Sequence, residues 1–126
     1  MKICAAPKFG LMLFASLSAL AAPSAAVDFV ALGDLPYGES ADVEARYQAL
    51  ISSINSSRPA FSVHVGDIKS GKTSCADPAL IRQRDNFGRF SHSLIYTPGD
   101  NEWTDCHRAS NGGFSPIERL ERIRQL

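Results

Sequence analysis

FSVHVGD, residues 61–67, decides the fold: a short run rich in β-formers that ends directly in Gly-Asp. The same figure stands on either side of it along the chain, as DFVALGD at 28–34 and LIYTPGD at 94–100. Each reads as a strand running into a loop, over Asp28–Leu32, Phe61–Val65 and Leu94–Thr97. Asp34, Asp67 and Asp100 fall at intervals of 33 residues. Ankyrin arrays have about that period, but they are built from helix pairs with a Thr-Pro-Leu-His signature, and neither feature is present. About thirty residues is also the length of one βαβ unit, so three parallel strands joined by right-handed helical crossovers are the simpler account.

The intervening segments carry helical periodicity. From Ala41 to Ser57, Val43, Tyr47, Leu50, Ile51 and Ile54 recur at helical spacing, with Ser40 as N-cap and Asp42 in the first turn. Asp77-Pro78 opens a second helix that runs through Leu80, Ile81 and Phe87 toward Phe90, with Gly88 weakening its last turn. Ser115-Pro116-Ile117-Glu118 reads as a capping box with proline at the first helical position, opening a third helix that carries Leu120 and Ile123. The expected class is α/β.

Composition narrows the function. The chain has 126 residues, and 13 Lys+Arg against 13 Asp+Glu leave no field of one sign to attract nucleic acid or an anionic membrane. At 44% hydrophobic and 21% charged it matches an ordinary globular domain. Residues 1–26 read as a secretory signal peptide: Lys2 and Lys8, an apolar run from Phe9 to Ala22, then Pro23-Ser24-Ala25-Ala26. The run is too short to span a bilayer, so no membrane span is expected to be retained. Cys4 precedes the run, whereas a lipid-modified cysteine would follow it. The mature chain is therefore expected to be exported, to periplasm or exterior, with 11 basic against 13 acidic side chains. Cys75 and Cys106 remain as an even pair in an oxidising compartment, where a disulfide is the expected state. With no neighbouring Cys-x-x-Cys, they make a poor zinc pattern.

Three strands in parallel would place all three Gly-Asp pairs at the carboxyl edge of the sheet, where α/β proteins bind ligands. Converging carboxylates repel unless a cation neutralises them or their proton affinities rise. A hard, oxygen-preferring metal is the economical solution. Each aspartate by itself also fits a loop-capping Asx-turn, and the run of three favours the metal.

The blocks GDLPYG (33–38), HVGDIKSG (64–71) and TPGDNEW (97–103) resemble, in order and strand context, the first three metal-binding blocks of calcineurin-like metallophosphoesterases. The likeness covers residues 27–126 but only the amino-terminal portion of that family's domain, so it implies a partial two-sheet α/β sandwich of mainly parallel strands with βα crossovers. It implies Asp34 and Asp100 as ligands of different metals, Asp67 as the carboxylate bridging them, and Asn101 facing the substrate phosphate. Two divalent ions are implied in the complete domain, with manganese, iron or magnesium favoured by oxygen ligands and zinc possible. The implied reaction is hydrolysis of a phosphate ester by a metal-activated hydroxide.

Each block also departs from the family pattern. Pro36 stands where a ligating histidine is usual, Ser70 where the second block ends in aspartate, and Asp100-Asn101-Glu102 where Asn-His-Glu/Asp is usual. Tyr37 is a possible replacement ligand, and Tyr37 and Glu102 are further candidates for binding the metals or supporting their ligands. The family's later histidine blocks lie beyond Leu126, so the domain as given is expected to be nearly inactive. The rival from another class is a non-catalytic exported α/β binding domain retaining at most one structural cation. Receiver and haloacid dehalogenase domains are also Asp-rich, but lack a Gly-Asp-Asn-Glu block.

The other polar residues carry less. His64 is expected to pack and His92 to lie in a solvated loop, while His107 stays open between a loop position and a place near Asp100. Lys69 and Lys72 read as solvated lysines of a Gly/Ser loop. Arg119, Arg122 and Arg124 with Glu118 and Glu121 read as a salt-bridged helix face, and Trp103 as either a pocket wall or a loop anchor.

Overall fold

The computed structural model describes residues 26–126, so the proposed signal peptide lies, but for its last residue, outside the described residues. Three short strands, β1 (Phe29–Leu32), β2 (Phe61–His64) and β3 (Ser93–Tyr96), form one sheet in the order β1-β2-β3, every pairing parallel. The register sets Leu32, His64 and Tyr96 side by side, so the three Gly-Asp exits leave from one edge. The α/β class and the parallel crossovers are as expected.

Helix α1 (Ala41–Ser57) links β1 to β2, and α2 (Asp77–Phe87) precedes β3. Ser40 caps α1 by accepting a hydrogen bond from Val43 N at 3.3 Å. At its other end Arg58 takes a left-handed conformation, and Asn55 bonds to Arg89 O and Ser91 N, which anchors the approach to β3. Tyr47, Ile51 and Ile54 project from one face of α1 and form the core with Phe90, against Val30, Leu32, Leu94, Leu35 and Phe87. Burying such side chains stabilises the fold by about 1.5–3 kcal/mol each.

Alternation along the strands puts Val30, Leu32, Ser62, His64, Leu94 and Tyr96 toward that core. The opposite face carries Phe29, stacked on Phe61 at 5.2 Å between centroids, and Ile95. Phe29 and Ile95 remain more than half exposed. The described residues thus form one sheet with its helical layer on one face, a coarser arrangement than a complete two-sheet sandwich.

Two local expectations need correction. Helix α2 ends at Phe87 rather than Phe90, with Gly88 as its C-cap, because glycine's helix cost falls in the last turn. In α3 (Pro116–Gln125), Ser115 makes no side-chain cap bond, so the capping box does not form. Glu118 pairs with Arg119 instead, and Arg119 also binds Asp77 Oδ1 at 2.7 Å and Cys75 O at 3.1 Å. Arg119 lies over the Phe114 ring at 4.6 Å and is buried, so it clamps α3 to α2 rather than lying on a solvated face. The Cys75–Cys106 disulfide is present, with Cα atoms 5.7 Å apart. Among the described residues no helix is long and apolar enough to cross a membrane.

Candidate functional site

Backbone packing brings the three strand exits together. Asp34 N donates to Gly66 O at 3.1 Å, joining the first exit to the second. The second meets the third so closely that a Cβ on Gly66 would lie 2.1 Å from Gly99 N, and one on Gly99 would lie 2.2 Å from Asp67 Oδ1. Glycine is required at both positions. Asp34 and Asp67 themselves adopt left-handed backbone angles, φ 58° and 56°, a conformation aspartate tolerates better than most residues.

The side chains form a chain of hydrogen bonds over this edge. Tyr37 OH donates to Asp34 Oδ1 at 3.1 Å, and Asn101 Nδ2 donates to Tyr37 OH at 3.3 Å. Asn101 N donates to Asp67 Oδ1, also at 3.3 Å. Burial raises the Asp67 carboxyl above its ordinary proton affinity; Asn101 N–H counters this, and the nearby carboxylates of Asp100 and Asp34 add to it. Asp67 therefore lies within electrostatic reach of each of the other two aspartates. Burial, followed by the bond to Asp34, pushes the Tyr37 phenol up to about 12, so it keeps its proton at neutral pH.

Glu102 holds the second and third exits from beneath. Fully buried, it accepts at one oxygen, Oε1, from Gly99 N at 2.6 Å, Tyr96 OH at 2.7 Å and Asp67 N at 3.1 Å, while Oε2 has no partner. Burial drives its carboxyl toward the protonated form. The disulfide lies behind the same loop, its sulfurs 3.7 and 3.8 Å from Asn101 O. Lys69 is a correction: its loop curls around it, Nζ donates to Ser70 O and Thr73 O, and the side chain is 5% exposed. A polar Gly/Ser setting suggested solvation because the sequence gives no sign of a loop closing on its own lysine.

None of the three histidines is committed to the aspartates. His64 is fully buried, and Gly66 N–H donates to its Nδ1 at 3.2 Å, which leaves Nε2 to carry the proton toward Leu35 O at 3.3 Å. It ties the end of β2 to the first loop, in keeping with its packing role. His92 Nε2 bonds to the buried Ser62 hydroxyl at 2.7 Å and is half-buried, so its loop is less solvated than expected. His107 Nδ1 bonds to Thr104 O at 2.6 Å.

The donor set of Asp34, Asp67, Asp100 and the Tyr37 oxygen suits a hard divalent cation in kind. Among the described residues, however, no three His, Cys, Asp or Glu side chains are grouped so that they could hold a metal ion. Compared with models of known protein families, with curated proteins and with solved structures, the chain matches none.

Proposed function

We propose that the carboxyl edge of this sheet is the divalent-metal site of an exported phosphoesterase. One observation carries the reading: the Gly-Asp exits of three successive parallel strands are joined into a single network running Asp34, Tyr37, Asn101, Asp67. Parallel pairing by itself brings the exits to one edge, but it does not require Gly66 and Gly99 to pack backbone to backbone or the side chains of the first and third exits to bond to one another. Asp34, Asp67 and Asp100 would hold the ion or ions, with Tyr37 as a further oxygen. A bound divalent cation supplies neutralisation of phosphate charge and a water acidic enough to attack phosphorus near neutral pH. The chain's own residues do the rest. Asp67 stands between the other two exits, Asn101 offers an amide N–H to a phosphate oxygen, and Glu102 keeps both loops from spreading.

Calorimetric titration with manganese tests the reading. Uptake by the wild-type chain that is lost in Asp67→Asn supports it; no uptake, or equal uptake by Asp67→Asn, refutes it. Release of nitrophenol from nitrophenyl phosphate, dependent on the same metal and on Asp67, would establish the enzyme. A second reading is favoured by the histidines, all three of which bond elsewhere: a non-catalytic exported domain retaining at most one cation. Saturation at a single ion without hydrolysis would support that reading.

A further inference from the structure

Beside Asp34 the first loop and α1 enclose an open groove of about 330 Å³, within the size range of small-ligand sites. Leu35, Pro36 and Tyr37 form one wall, and Val43, Tyr47 and Leu50 the other. The last three share a face of the helix by their spacing, yet only Tyr47, Ile51 and Ile54 are buried against the core, and Leu50 is 40% exposed. Val43 and Leu50 therefore border the groove from outside the core, while Tyr47 belongs to both.

Tyr37 belongs to both places. Its ring lines the groove, while its hydroxyl donates to Asp34 and receives from Asn101. A ligand held at the aspartates has this groove as its adjoining surface. The groove also selects by chemistry. The Tyr37 hydroxyl is already engaged, the Tyr47 hydroxyl is buried without a partner beneath the surface, and the one charged lining residue, Arg46, is paired with Asp42 at 2.8 Å. Apart from the exposed Arg46 guanidinium at the rim, a sugar or other polyol placed there would find few groups to replace its hydrogen bonds to water. A hydrocarbon group would lose none.

Resting on the phosphoesterase reading, we infer that the substrate is a phosphate ester whose organic part is apolar, an alkyl or aryl group lying between Pro36 and Leu50 with the phosphate toward Asp34. The probes are methyl, butyl and hexyl phosphate, with hexanol as the tail without a phosphate, titrated calorimetrically into the manganese-supplemented full chain. Half-burial of each added methylene raises affinity about twofold, so hexyl phosphate should bind at least tenfold tighter than methyl phosphate. Leu50→Asn, at a position exposed enough to tolerate it, should flatten that rise. The outcomes separate the two ideas. Methyl phosphate binding as well as hexyl phosphate, with Asp67 required, overturns the groove and leaves the phosphoesterase reading standing. Hexyl phosphate and hexanol binding equally, both weakened by Leu50→Asn and indifferent to Asp67→Asn, upholds the groove and overturns the phosphoesterase reading. A slope unchanged by Leu50→Asn overturns the assignment of the tail to this groove.

Discussion

Gly66→Ala tests whether the second and third strand exits meet backbone to backbone. A Cβ on Gly66 would sit 2.1 Å from Gly99 N, 2.5 Å from Gly99 Cα and 2.8 Å from the Pro98 carbonyl carbon, distances at which something must move. Every one of these atoms is backbone, so no rotamer change relieves the clash. The position also has φ +95°, which costs an L-residue about 1–2 kcal/mol. Displacing packed neighbours adds about 1–3 kcal/mol. The expected loss is therefore about 2–5 kcal/mol, a large share of the roughly 5–15 kcal/mol that holds a domain folded. Gly113→Ala is the matched control: φ is +66°, but nothing lies within 4 Å of the added carbon. Urea unfolding, followed by Trp103 fluorescence and far-ultraviolet circular dichroism, measures both variants. Gly66→Ala should exceed Gly113→Ala by about 1–3 kcal/mol, the steric part alone. Equal losses, within about 0.5 kcal/mol, would mean that the exits do not touch, and the shared pocket would go with them.

Three further outcomes follow from the same edge. Glu102→Ala leaves the amides of Asp67 and Gly99 and the Tyr96 hydroxyl without their common acceptor, and should cost about 3 kcal/mol by urea unfolding, with Glu102→Gln losing less because Oε1 is kept. Burial holds His64 below its ordinary value of 6.5, so the folded chain binds fewer protons than the unfolded one. The stability this contributes is present above pH 6.5 and is lost as pH falls toward the folded value, by at most about 1.4 kcal/mol per unit. In His64→Gln that part of the slope should vanish; identical slopes in the two proteins would refute the assignment. Replacing Cys75 and Cys106 together by serine opens a bridge with sequence separation 31 and should lower stability by about 3–4 kcal/mol, read as a reduced urea midpoint.

The strands and the long helix were legible in the sequence because their signals are local. A run such as FSVHV has β-formers bounded by glycine, and Ser40 before an apolar helical stripe needs only its own neighbours to cap. The disulfide was legible from cysteine parity. The three aspartates were found as strand exits by the same local rule, since glycine followed by aspartate marks where each run stops. Failures came where the deciding contact has no local sequence pattern, whether the partner is near or far. Ser115 and Glu118 match a capping box, but Arg119 draws Glu118 away while reaching Asp77 across from α2. Lys69 looked solvated because nothing in its neighbours announces that the carbonyls of Ser70 and Thr73 will close on it.

Local sequence thus determined which segments become strands and helices, their ends to within a few residues, and that an acidic residue follows each strand. Tertiary structure alone decided what those ends do together. Parallel pairing in register placed the exits side by side, the absence of Cβ atoms at Gly66 and Gly99 let them touch, and burial of Glu102 beneath them fixed the spacing. Periodicity assigned Val43 and Leu50 to a helix face, but only the packing of α1 on the sheet showed that this part of the face borders a groove beside Asp34. The physical reason is range: propensity and capping act within a few residues, whereas desolvation and charge proximity depend on which distant segments the fold makes neighbours.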